Sequence, residues 1–120
     1  MTRIAFIGLG NMGGPMAANL ARSGLEVIGF DLAQASCEEA KAQGVAIAGA
    51  ATDAVRDADA VVTMLPAGRH VRSVWAEIAP AMKRDALLID SSTIDVDSAR
   101  AVHALAGEAG LMSIDAPVSG

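Results

Sequence analysis

The chain has 120 residues, enough for one domain with a real core and no more. Hydrophobic residues make up 52% of it and aromatic ones only 2%, so that core must be built from Ala, Val, Leu, Ile and Met. The net charge of −5 argues against nucleic acid as a partner, since binding a phosphate backbone needs a basic surface, and no apolar run approaches the length that spans a bilayer.

Arg3–Ile7 is a short apolar run and reads as the first strand. Gly13-Gly14-Pro15 opens a helix, with Pro15 in the first turn where its missing N–H does no harm. Met12, Met16 and Leu20 fall four apart, which predicts that this face of the helix meets the sheet, and Gly24 is a natural stop. Val27–Phe30 reads as strand two and carries Asp31 at its end. Ala33–Gln43 reads as a helix closed by Gly44, and Val45–Ala48 as a short third strand. Thr52 is placed to cap a brief helix through Ala58. Ala60–Met64 is almost wholly apolar, as a strand buried on both faces should be. His70–Met82 is helical, Ala86–Asp90 is strand five, Asp95–Ala109 is a helix ended by Gly110, and Leu111–Asp115 is strand six. Strands alternating with helices predict a parallel sheet covered on both sides. With right-handed crossovers this becomes an α/β, Rossmann-like doubly wound parallel sheet in a single domain, in the order 3-2-1-4-5-6.

Gly8-Leu9-Gly10-Asn11-Met12-Gly13 is a G-x-G-x-x-G turn, and its setting gives it meaning. It follows a strand, opens a helix, and is trailed by an acid, Asp31, roughly 20 residues on, which is the dinucleotide-binding fingerprint. Gly8 allows the tight turn, Gly10 leaves the backbone open to a pyrophosphate, and Gly13 lets the helix lie close to strand one. Asn11 and Met12 supply backbone N–H groups in the first helical turn, where the helix dipole favours a diphosphate. Asp31 is placed to accept the adenosine ribose hydroxyls and to repel a 2′-phosphate. Leu32-Ala33-Gln34-Ala35-Ser36 after it holds no Lys or Arg to receive one. NAD is therefore the expected cofactor, ahead of NADP.

Strand four ends in Met64-Leu65-Pro66 and strand five in Asp90-Ser91-Ser92-Thr93, both at the crevice where strand order reverses. Ser92 and Thr93 serve either the crevice or the cap of the next helix. His70 and His103 show no metal-ligand spacing, and His103 is expected on a helix surface. Cys37, flanked by Glu38 and Glu39, is a poor thiolate, and Trp75 is read as a packing residue. The lone Cys37 fits a reducing compartment, and Gly8 to Gly14 interrupt any signal-peptide core, so cytoplasm, or an organelle matrix in a eukaryote, is the expected location.

Gly8–Leu20 closely resembles the signature of the β-hydroxyacid dehydrogenases, and Met64–Val71, Ile89–Ile94 and Asp115–Gly120 resemble that family's later blocks in order. The resemblance implies NAD-dependent oxidation of a small β-hydroxy acid. The nearest branch turns 3-hydroxyisobutyrate into methylmalonate semialdehyde in valine breakdown; tartronate semialdehyde reduction is the neighbouring reading. It further implies that Leu65 and Pro66 border the nicotinamide side, that Thr93 meets the cofactor near its ribose, and that Ser119 and Gly120 meet the substrate carboxylate. The family's general base is a Lys on a helix beyond the Val-Ser-Gly-Gly block, where an all-helical domain begins and usually builds a dimer. Neither Lys41 nor Lys83 matches it, so residues 1–120 are expected to form an incomplete NAD-binding domain that lacks the catalytic residue and is inactive alone. Two readings of other classes remain: a methyltransferase, which the third glycine and later blocks disfavour, and a non-catalytic dinucleotide sensor.

Overall fold

The structure, a computed structural model, describes residues 2–117. Ser119 and Gly120, assigned above to a substrate carboxylate, lie outside the described residues. The elements run β1 (Arg3–Ile7), α1 (Gly13–Arg22), β2 (Glu26–Phe30), α2 (Gln34–Ala42), β3 (Ala46–Ile47), α3 (Ala51–Val55), β4 (Ala60–Thr63), α4 (Gly68–Ile78), a 3-10 turn (Ala79–Ala81), β5 (Leu87–Asp90), α5 (Val96–Glu108) and β6 (Met112–Asp115). All six strands pair in parallel in the order β3-β2-β1-β4-β5-β6. The chain reverses direction of travel across the sheet between β1 and β4, which opens a crevice above their C-terminal ends.

Side chains alternate across each strand, and the core divides accordingly. Ala5, Ile7, Val61 and Leu88 point to one face, where they pack with Val55, Val71, Trp75, Ile78 and Val102 of α3, α4 and α5. Phe6, Val27 and Val62 point to the other and meet Ala17, Ala18 and Ala40 of α1 and α2. The expected helix face is corrected here. Helix α1 buries Gly13, Ala17 and Ala18, whereas Met16 and Leu20 pack at the margin and Met12 is exposed. Small residues at the contact let the helix axis approach the sheet, and the larger ones flank it. Thr52 is also not a cap, since α3 starts one residue earlier from an extended Ala50.

His103 also departs from the expected helix surface. It is half-buried rather than on the helix surface, with its ring edge-on to Trp75 at 5.5 Å and its Nδ1 2.7 Å from Ser113 Oγ. Edge strand β6 leaves Met112 and Ile114 exposed on the sheet face opposite α5. Among the described residues no helix is long and apolar enough to cross a membrane, and no cluster of His, Cys, Asp and Glu could hold a metal.

Candidate functional site

The turn after β1 is shaped by three glycines with three different duties. Gly8 has φ +102°, a backbone conformation that side chains resist, and a Cβ there would collide with the Met64 carbonyl. It is held between neighbours: its N–H donates to Phe30 O at 3.0 Å, while Met64 N–H donates to Ile7 O at 2.9 Å. At Gly13 a Cβ would collide with the Gly8 carbonyl, so only glycine lets α1 start this close to the strand. Gly10 differs, because among the described residues, its two chain neighbours aside, nothing lies within 4 Å of where its Cβ would be. The room above Gly10 is open, which is what a pyrophosphate lying against the backbone requires. No side chain caps α1 and no acid sits in its first turn. Gly14 and Met16 N–H donate to Gly10 O and Met12 O and Pro15 has none, so the dipole and the amides of Asn11, Met12 and Gly13, which have no partner among the described residues, are left for a ligand.

Asp31 stands at the end of β2 with both carboxylate oxygens engaged. Oδ2 accepts the Leu9 N–H at 2.7 Å and Oδ1 accepts the Ala33 N–H at 2.8 Å. A carboxylate offers about four lone-pair positions, so two remain for a sugar diol. The Cys37 thiol donates to the Asp31 carbonyl at 3.2 Å, tying α2 to the same corner.

One cavity of about 670 Å³ collects most of the residues singled out from the sequence: Gly8, Gly10, Asn11, Met12, Gly13, Asp31, Leu65 and Pro66. Thr93 is exposed and is not among the lining residues. Its neighbour Ser92 is buried, and Ser92 Oγ accepts the Leu65 N–H at 2.8 Å from behind the cavity wall. The helix cap left open between Ser92 and Thr93 belongs to neither. Asp95 caps α5, its side chain accepting the Ser98 N–H at 3.0 Å. Those bonds to Ser98 hold the Asp95 carboxyl below the ordinary carboxylate range.

Helix α4 adds His70, Ser73, Val74 and Glu77 to the wall, residues that sequence reading missed. Their spacing puts them on one helical face, a signal that points to a site only once β4 is known to end at the crevice. Two features suit an aromatic, sugar-bearing ligand. Leu32, 94% exposed, and the exposed Met12 form an apolar lip, and among the described residues no Lys or Arg lines the cavity. Neither Lys41, on α2, nor Lys83, which pairs with Asp59, is among its residues.

Residues 3–120 match the family described as the NAD binding domain of 6-phosphogluconate dehydrogenase. The chain belongs to that family. It is 52% identical over its whole length to a probable 3-hydroxyisobutyrate dehydrogenase of Mycobacterium tuberculosis, of which it covers 41%. It is 46% identical to an NAD-dependent L-serine dehydrogenase of Pseudomonas aeruginosa, again covering 41%. The solved M. tuberculosis 3-hydroxyisobutyrate dehydrogenase with L-serine superposes with a TM-score of 0.98 at 52% identity, over 100% of this chain and 41% of that one. The chain is thus an NAD-binding domain homologous to 3-hydroxyisobutyrate dehydrogenases, and it spans about two fifths of the length of these relatives.

Proposed function

We propose that this domain binds NAD in preference to NADP and serves the oxidation of a small β-hydroxy acid of the 3-hydroxyisobutyrate type. The observation that carries the reading is Asp31, braced against the Leu9 amide at the edge of a cavity whose described lining holds no Lys or Arg. In this reading the Asn11 and Met12 amides hold the diphosphate and Asp31 takes the ribose diol of the adenosine half. The apolar lip and the α4 face flank the adenine. Leu65 and Pro66 border the nicotinamide, Thr93 lies near its ribose, and Ser119 with Gly120 meets the substrate carboxylate. Bound NAD would supply the hydride acceptor. The chain's own residues position it and exclude a 2′-phosphate by charge.

L-Serine is a second substrate of the same chemical class, favoured by the L-serine dehydrogenase likeness and by the relative solved with L-serine. Both are small acids with a hydroxyl on the β-carbon. Calorimetric titration of the chain with NAD and NADP tests the cofactor reading. NAD should bind at least about tenfold tighter, about 1.4 kcal/mol at 25 °C. Equal affinities, or no binding by a folded chain, would overturn it.

A further inference from the structure

Asp90 is the last residue of β5, its side chain wholly buried and flanked in register by Thr63 of β4 and Asp115 of β6. A carboxylate in such a place opposes stability, because burial strips its water and an apolar residue would suit a covered strand better. Only one of its oxygens is used. Oδ1 accepts the Thr63 hydroxyl at 2.8 Å and the Ser92 N–H at 3.2 Å, while Oδ2 is buried with no partner among the described residues. Ser92 in turn accepts the Leu65 N–H at 2.8 Å. The Asp90 backbone carbonyl takes the Ala116 N–H at 2.8 Å, and Ser91 N–H donates to Thr63 O at 2.9 Å. The segments after β5 and β6 therefore bond Asp90 directly, and the segment after β4 reaches it through Ser92.

We propose that Asp90 is a positioning residue of the cofactor site. It fixes Ser92, and through Ser92 the Leu65 amide, so that the Leu65–Pro66 wall is set for the nicotinamide half of the dinucleotide before it arrives. The proposal rests on the NAD reading above. It assigns Asp90 no contact with cofactor or substrate; its effect is transmitted through two hydrogen bonds to a backbone segment that does line the cavity. In that reading the adenosine half is held by the glycine turn and Asp31, which among the described residues share no hydrogen bond with this relay. The two halves of the ligand should therefore respond differently when the relay is cut.

The experiment compares Asp90→Asn, Ser92→Ala and the double variant with the parent chain. NAD is titrated against ADP-ribose, which lacks the nicotinamide, with helix content checked by circular dichroism. Each single variant should bind NAD about tenfold more weakly while its ADP-ribose affinity stays within about twofold. The double variant should be no worse than the weaker single, since both substitutions break one chain of contacts. Equal weakening for both ligands would make Asp90 a structural residue only and overturn the proposal. So would unchanged NAD affinity, or losses that multiply in the double variant. If Asp90→Asn does not fold, the NAD to ADP-ribose split of Ser92→Ala decides alone. A folded parent chain that binds neither ligand instead brings down the NAD reading itself, an outcome distinct from a parent that binds both and variants that fail to separate them.

Discussion

The Asp31 carboxylate accepts the Leu9 amide at 2.7 Å, so the acid at the end of β2 shapes the glycine turn before it meets any ligand. Asp31→Ala should consequently do two kinds of damage. It removes the proposed ribose acceptor and frees the turn, and NAD affinity should fall by about 100-fold, the size expected when a charged hydrogen-bond partner is lost. Asp31→Arg should raise the ratio of NADP to NAD affinity above that of the parent. Isothermal titration measures both, and a parent-like affinity in Asp31→Ala would contradict the assignment.

The glycines should fail in opposite ways. Gly10→Glu places a side chain where the protein has none, so the fold should persist with its helix content intact while NAD binding disappears through bulk and charge. Gly13→Ala drives a methyl into the Gly8 carbonyl and should cost roughly 3 kcal/mol or more of stability, at the upper end of overpacking effects. Urea unfolding and ligand titration on both variants separate the two behaviours.

Thr63→Val keeps the shape of a wholly buried residue and deletes the hydroxyl between Trp75 Nε1, 3.1 Å away, and Asp90 Oδ1. It leaves a buried indole N–H without its acceptor. A loss of about 1–3 kcal/mol is expected in chemical denaturation, the cost of an unsatisfied buried polar group.

Asp59 lies at the opposite end of the sheet, where the Lys83 ammonium and the Arg3 N–H hold its carboxyl below the ordinary range. A depressed carboxylate stabilises the fold above its unfolded pKa of about 3.9, and that contribution is lost as pH falls through the folded value. Asp59→Asn should therefore melt below the parent at pH 7, with the gap closing below about pH 4. The pair is exposed, so the gap should be small and should shrink further in high salt.

Neither lysine lines the cavity. Mixed with NAD and 3-hydroxyisobutyrate or L-serine, these 120 residues should bind cofactor without turnover. Absorbance of the reduced cofactor checks this, and robust turnover would mean that a residue lining the cavity acts as the base.

Most of the architecture was legible because a parallel sheet writes itself as apolar runs between amphipathic helices, and the glycine fingerprint after β1 points to the strand order of the doubly wound dinucleotide-binding fold. The glycine turn was legible because it is contiguous. What escaped reading depended on distant segments meeting. The large residues Met12, Met16 and Leu20 mark a helical face plainly, yet the face that touches the sheet is the small one, since close approach rewards absence of bulk. The brace from Asp31 to Leu9 joins the ends of two different strands, and no local spacing announces it. His103 looked solvated from its neighbours, but Trp75 and Ser113 reach it from other elements. His70, Ser73 and Glu77 became site residues only when α4 was seen to border the crevice.

Trp75 is the sole indole in the chain, and it sits two hydrogen bonds from Asp90 and four from the Leu65 amide. The molecule thus carries its own optical reporter. Sealed from solvent, the indole should emit at short wavelength, and its intensity should follow any rearrangement of the crevice without an added label.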